Sequence, residues 1–421
     1  MRQSIGARFA VLRLRDFRIF VGGYATSVLG TMMAGVALAF AVLESGGSPA
    51  TLSYVLAARI VPMVAILPVA GVLGDRFPRR LVMIWADVLR AGTQAAIAVL
   101  FFVGDPDLTV LLVLAAAGGL GEAVFRPSFD GLVPQLVPPA QRHEANTFLG
   151  LLQSGATVAG PALAGALVVF TSPATVLLID AITYLPSIAT LLLLRTPDPE
   201  PGTRTTMLRE MREGWRVFAS LPWLWTITLQ FTLFNLLLWA PYLVLGPVSA
   251  DRFYGGAGAW GAISATYGAG AIIGGFVVLG WKPARPLLVA TAATILWAAP
   301  SAALAARTPL LLVCAGALIA GIVSSVFGTL WMTAIQQRVP AEAMSRVNSY
   351  VVFGSFSVGP IGLALAGPAA TATSITTVLS VGVAWQLVSG LFLLTLPAIR
   401  NLRQPIPDDE TAPSEKATAT A

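Results

Sequence analysis

The chain has 421 residues, of which 56% are apolar and only 11% charged, and its mean hydropathy is +0.79. A soluble globular chain carries about 25% charged residues, so this composition excludes an ordinary soluble domain and points to an integral membrane protein. The net charge of +6 is not a nucleic-acid footprint, because the basic residues lie almost wholly in the gaps between apolar runs, and the single cysteine, Cys314, excludes a disulfide framework, a cysteine metal site and a redox motif.

The amino terminus carries Arg2, Arg8, Arg13, Arg15 and Arg18 and runs into an apolar stretch over 18–43. That stretch is too long for a signal-peptide core and lacks a small-residue cleavage site, so it reads as a first transmembrane helix. With roughly 20 apolar residues per crossing, further spans fall at 50–73, 81–103, 108–130, 144–170, 174–194, 223–248, 257–281, 286–306, 308–333, 343–368 and 373–397. Placing the amino terminus inside puts 22 of the 26 basic residues on the inner side and leaves Arg252 and Arg307, with the acids Asp105, Asp107 and Asp251, in outer loops. The asymmetry predicts a multi-pass protein of the cell membrane with both termini cytoplasmic. Residues 1–194 then form a first six-helix half and 195–222 a cytoplasmic linker with an amphipathic, Arg-rich helix on the inner surface. A second six-helix half covers 223–397, and 398–421 is expected to be a disordered tail.

Between spans 2 and 3 the chain reads Gly71-Val-Leu-Gly-Asp75-Arg76-Phe-Pro-Arg79-Arg80. Each Arg or Asp costs roughly 2.5–3.5 kcal/mol at a helix centre on insertion scales, so the cluster belongs at a membrane face, and its arginines assign that face to the cytoplasm. Further on, Gln135-Leu-Val-Pro138 followed by Asn146 recurs as Gln337-Arg-Val-Pro340 followed by Asn348, an offset of 202 residues. Both copies leave one span and enter the next. The expected fold is therefore an all-α membrane protein with twelve transmembrane helices in two pseudo-symmetric six-helix halves, substrate sitting between them. In span 5, Gly155, Gly160 and Gly165 offer small surfaces for close helix packing, and Pro161 removes a backbone donor.

The Gly71–Arg80 segment resembles the loop 2–3 signature of the major facilitator superfamily, and Gly155–Gly165 resembles the span 5 motif common in its exporters. Local strings are similar to the drug:proton antiporter branch that includes macrolide and siderophore exporters: Arg15-Asp-Phe-Arg18, Asp87-Val-Leu-Arg90, Glu144-Ala-Asn146 and Asp180-Ala-Ile-Thr-Tyr184. The resemblance implies the major facilitator fold and a conformational latch, in which Asp75 meets the amino end of span 11 while Arg76, Arg79 and Arg80 orient it or bind lipid phosphate. Pro78 stands where the family often has Gly, and the counterpart Gly274–Arg285 lacks the acid, so the latch is expected on one side only. The resemblance also implies a cavity lined by spans 1, 4, 7 and 10.

Ionisable residues inside spans carry the most information, because a membrane tolerates them mainly when they are paired or functional. Asp87 and Arg90 stand at i,i+3, and Glu122 and Arg126 at i,i+4, so each pair can close within its own helix. Arg59 and Asp180 lie at similar depth and can pair with each other, or with Glu44. Asp180, Glu122 and Asp87 are the proton-coupling candidates, with Arg59, Arg90 and Arg126 as charge partners. The second half is almost free of such charge; Gln230, Asn235, Trp239, Tyr242, Trp331 and Gln336 are its substrate-cavity candidates. A wall with few polar anchors suits a bulky amphipathic molecule. There is no phosphate-binding Gly-Lys-Ser/Thr loop, no metal-spaced cluster, and one His, His143, in a loop. The expectation is a non-enzymatic, cofactor-free, metal-free monomer whose partners are membrane lipid, a small-molecule substrate and protons, not nucleic acid. It would export a drug-like or secondary-metabolite molecule by alternating access; an importer or lipid-type transporter, or a receptor or channel, are the alternatives.

Overall fold

Where lipid replaces water every backbone N–H and C=O must be satisfied within the chain, which leaves long apolar runs no option but helix. The computed structural model describes residues 10–104, 106–194, 207–281, 283–340 and 343–402, with backbone alone at Ala10, 67–76, 207–211, Glu213 and Ser345. Among the described residues twelve helices are long and apolar enough to cross a membrane. The first six are α1 (Arg15–Glu44), α2 (Pro49–Arg76), α3 (Arg79–Val103), α4 (Leu108–Leu136), α5 (Arg142–Phe170) and α6 (Pro173–Leu193). After a short connecting helix, Met207–Ala219, come α7 (Pro222–Phe253), α8 (Ala257–Val278), α9 (Pro286–Ala305), α10 (Leu310–Arg338), α11 (Met344–Phe356 continued by Gly359–Ala372) and α12 (Ile375–Thr395). The expected spans 4 and 10 run about one and a half turns further than their apolar stretches, to Leu136 and Arg338.

The internal repeat extends beyond the strings that first reveal it. Ser172 caps α6 through Thr175 N–H at 3.2 Å, and Ser374, 202 residues later, caps α12 through Thr377 N–H at 3.0 Å. Each cap satisfies a backbone donor that the first helical turn leaves free. Packing repeats as well: α2–α4, α3–α4 and α3–α6 in the first half are matched by α8–α10, α9–α10 and α9–α12 in the second. Between the halves, α2 packs on α11 and α5 on α8, a pair of contacts that exchange under the same repeat.

The distribution of the core fixes the shape. One buried apolar cluster is shared by both halves at the end of the bundle that holds the α1–α2 and α7–α8 turns; it joins Phe40 and Leu52 to Leu245, Ile263 and Leu363. At the opposite end there are two separate clusters, one around Phe17, Phe129 and Leu191, the other around Leu224, Phe327 and Leu393. The bundle is therefore closed at one end and split at the other. At the closed end Ser53 Oγ accepts the Gly367 N–H at 2.7 Å, and the α5 backbone at Pro161 and Gly165 lies against Gly261 of α8.

Candidate functional site

Four helices of the first half bring their ionisable residues to one depth. Gly119 of α4 makes this possible for α2: a Cβ there would lie 1.9 Å from the Arg59 carbonyl, so only glycine permits the approach. Arg59 Nη2 thereby reaches Glu122 Oε2 at 2.9 Å. This corrects the expected Glu122–Arg126 pair: Arg126 instead lies 3.6 Å from Asp130, an exposed contact one turn towards the split end. A guanidinium that can reach water gains little from Glu122, whereas Arg59, 22% exposed, needs a counter-charge.

Asp87 and Arg90 do pair within α3, at 3.3 Å, and the network continues from both. Ser187 of α6 donates to Asp87 Oδ2 at 2.7 Å, Arg90 donates to Thr31 Oγ1 of α1 at 3.0 Å, and Thr31 is 3.0 Å from the Tyr184 hydroxyl. The Arg90 guanidinium also sits 4.5 Å from the Tyr184 ring centroid, within cation–π range. Asp180 does not pair with Arg59 or with Glu44. It is 1% exposed, packed against Gly30 of α1, and its Oδ1 has no hydrogen-bond partner among the described residues. Thr31 and Ser187 carry no intramembrane charge and nothing in the sequence marks them as part of this cluster; Tyr184 shows only as the end of the Asp180–Tyr184 string.

The second half holds a cavity of about 440 Å³ between α7, α8, α9, α10 and α11. Of the substrate-cavity candidates, Asn235, Trp239, Tyr242 and Trp331 line it. Gln230 does not: it is buried and donates to Gln386 Oε1 at 3.2 Å. Gln336 is exposed near the end of α10, away from the cavity wall. The rings that dominate the wall, Phe231, Phe234, Tyr267, Trp297 and Phe327, are the residues that the sequence reading misses. Span 7 held a signal for two of them in the spacing Phe231, Phe234, Trp239, Tyr242; Trp297 is the only aromatic residue of its span, and Tyr267 shares its own with Trp260 and Phe276.

Three helices lose their regular geometry at this cavity. α7 contains a π-helical segment, Asn235–Trp239; α9 contains a 3₁₀ segment, Ile295–Ala298; α11 is interrupted after Phe356. Side chains bond backbone carbonyls at these breaks. Asn235 Nδ2 donates to Phe231 O and Ser355 O at 3.0 and 3.1 Å, and Gln386 Nε2 donates to Thr294 O at 2.8 Å. Such interruptions in membrane helices concentrate at binding sites.

Of the expected latch, Gly71, Asp75 and Arg76 lie where only backbone is described, and Asp75 forms part of the last turn of α2. Arg79 donates to the Gly131 carbonyl of α4 at 2.5 Å, and Arg80 donates to the Leu194 carbonyl after α6. Both arginines thus bind their own half. In the span 5 motif, Gly160 seats α1 at Met32 and Gly165 seats α8, while nothing lies within 4 Å of a Cβ at Gly155.

A family model described as Major Facilitator Superfamily matches residues 20–363. The chain is similar to macrolide efflux protein A of Streptococcus pyogenes, 24% identical with 93% of this chain and 97% of the relative covered. It is also similar to the multidrug efflux pump Tap of Mycobacterium tuberculosis (strain ATCC 25618 / H37Rv), 26% identical with 87% and 90% covered. Among solved structures, a bacterial homologue of the iron transporter ferroportin in an inward-facing state superposes with a TM-score of 0.70 at 16% identity, covering 93% of this chain and 99% of that one. A bacterial homologue of the human lysosomal transporter Spinster, inward-facing and unoccupied, gives 0.66 at 16% identity, covering 96% and 100%.

Proposed function

The chain is a transporter of the major facilitator superfamily, and from that premise we propose that it is a proton-coupled exporter of bulky amphipathic molecules working by alternating access. The split end would face the cytoplasm, as the basic residues require, so that the conformation described is the one that loads. Export as the direction is supported by the relatives, which are named for macrolide and multidrug efflux. The ligand cavity would be the ring-lined space of the second half, and the proton site the polar cluster of the first.

One observation carries the coupling. The cluster sets three carboxyls, Asp87, Glu122 and Asp180, against two guanidiniums, Arg59 and Arg90, and the geometry gives each guanidinium one carboxylate. Asp180 is left over, and its buried Oδ1 has no hydrogen-bond partner among the described residues. An ionised carboxylate in that position costs several kcal/mol, and the neutral acid far less. Asp180 would therefore hold the proton while the site is dry and release it when rearrangement admits water or frees Arg59 from Glu122, which is 33% exposed.

Proteoliposomes loaded with protein test this. Wild type should show saturable substrate movement accompanied by proton flux, with Asp180→Asn keeping substrate binding and losing the flux. Glu122→Gln should reduce coupling by releasing Arg59 to Asp180. Normal coupled transport in both variants would refute the assignment, and flux that does not saturate would indicate a channel.

A further inference from the structure

The cavity of the second half is shaped from behind by a helix that does not enter it. No described residue of α12 lines the wall. Yet Gly382, Gln386 and Gly390 stand at i, i+4 and i+8 and share the buried face of α12, and each meets a helix that breaks at the cavity. A Cβ at Gly382 would lie 2.3 Å from the Leu237 carbonyl oxygen, inside the π-helical segment of α7. One at Gly390 would lie 2.7 Å from the Ile295 side chain, where the 3₁₀ segment of α9 begins. Gln386 joins the two helices. It is 0% exposed, accepts from Gln230 of α7 at 3.2 Å and donates to the Thr294 carbonyl of α9 at 2.8 Å. Val381, Leu387, Val388 and Leu391 of the same helix are exposed and apolar, so this amide is a polar group kept where the helix otherwise needs none.

Thr294 is the last residue before the 3₁₀ segment Ile295–Ala298. In a regular α-helix its carbonyl would take the N–H of the residue four places on, and a side chain that enters this ladder distorts the helix at that point. A 3₁₀ turn advances about 120° per residue against about 100° for an α-helix, so over three residues the break swings Trp297 by roughly 60° from its direction on an unbroken helix. In that direction Trp297 is buried and lines the cavity, its ring centroid 4.5 Å from that of Phe234 on α7 and 5.0 Å from that of Phe327 on α10. One ring thus ties three helices together at the wall.

We infer that Gln386 is a positioning residue of the ligand cavity: by bonding the Thr294 carbonyl it holds the 3₁₀ break that turns Trp297 into the wall, and so sets ligand affinity from a helix that never touches ligand. This rests on the proposed reading of the cavity as the substrate site.

The test separates the hydrogen bonds from the bulk of the side chain. Gln386→Met keeps the length and loses both bonds. Gln386→Glu keeps them, because a carboxyl buried there without a counter-charge retains its proton and offers one O–H donor and one acceptor. In the full chain, purified in detergent and labelled with 5-fluorotryptophan, the fluorine resonance of Trp297 is identified by its loss in Trp297→Phe. It should move in Gln386→Met and stay in Gln386→Glu, while that of Trp85 on α3 stays in both. In proteoliposomes Gln386→Met should raise KM for erythromycin, a macrolide, by about 2- to 12-fold with kcat held, one ring contact being lost, and Gln386→Glu should not. Gln386→Asn, whose amide falls one carbon short of Thr294, takes the place of the methionine variant if that fails to fold. A Trp297 resonance that stays in the unbonded variants, or moves as far in Gln386→Glu, would overturn the inference. A resonance that moves while KM is unchanged would instead refute the cavity as the substrate site.

Discussion

Gly367→Ala should unlock the closed end. A Cβ at Gly367 would stand 2.0 Å from the Pro49 carbonyl oxygen and 2.5 Å from Ser53 Oγ. The first neighbour is backbone and cannot rotate away. Restoring an ordinary contact of about 3.5 Å requires α2 and α11 to part by roughly 1.5 Å. That would stretch the 2.7 Å Gly367–Ser53 hydrogen bond to about 4 Å, beyond bonding range. Overpacking costs about 1–3 kcal/mol and a lost hydrogen bond about 0.5–1.5 kcal/mol. The closed end should thus lose at least about 1.5 kcal/mol against its open alternative, a shift of roughly tenfold or more in their ratio. Spin labels on cysteines at Glu44 and Ala372, in a Cys314→Ser background, would report the distance across that end in nanodiscs. Gly155→Ala is the control, because nothing lies within 4 Å of its Cβ. The variant should move the distance distribution to longer values while the control leaves it in place; indistinguishable distributions would refute the close-packing account.

Two further perturbations address the charges. Arg59→Ala leaves Glu122 without its counter-charge; losing one partner of a fully buried pair costs about 3–5 kcal/mol, and with Glu122 33% exposed the loss should fall to about 1–2 kcal/mol. A thermal midpoint in detergent that Arg59→Ala leaves unchanged would count against the pair, and Arg59→Lys should recover part of the loss. At the start of α4, Asp107 caps the helix: the backbone N–H of Val110 and the Thr109 N–H hold its carboxyl below the ordinary value. A lowered folded-state pKa gives stability that is present above the unfolded value, about 3.9, and is lost as pH falls through the folded value. The protection of Thr109 and Val110 against hydrogen exchange, taken relative to the intrinsic amide rate at each pH, should therefore hold from pH 7 to 5 and fall below about pH 4. In Asp107→Ala that protection should be low throughout with no such step.

The architecture was legible because a membrane reduces folding to span length, charge position and repetition. Twelve apolar runs and a 202-residue echo are enough to reach two six-helix halves. The charged site was half legible. Asp87, Arg90, Glu122, Arg59 and Asp180 announce themselves by being ionisable inside apolar spans, but their pairing follows from which backbones touch. The glycine that brings Arg59 to Glu122 sits in Gly118-Gly119 of α4, indistinguishable in sequence from the other glycines of the spans. Periodicity within one helix favoured Arg126, and tertiary contact overrode it. The cavity was the least legible part. Aromatic residues in a membrane span face lipid, core or cavity with the same letters, and no local pattern announces that α7, α9 and α11 all break at one depth.

On the proposed reading, proton and ligand occupy different halves, so neither can displace the other by contact. Their exclusion has to pass through the shape of the bundle, and two helices are placed to carry it. α2 bears Arg59 of the charged cluster six residues after Ser53, about 9 Å along the helix. α11 bears the break at the ligand cavity, where Ser355 O is tied to Asn235, and then Gly367. These two helices meet through Ser53 and Gly367 at the closed end. A change in the Arg59–Glu122 pair that shifts α2 must therefore be absorbed at the contact that also fixes α11. A ligand that straightens or bends α11 at its break acts on the same contact from the other side. Coupling of this kind is reciprocal, and it needs no residue that touches both proton and cargo.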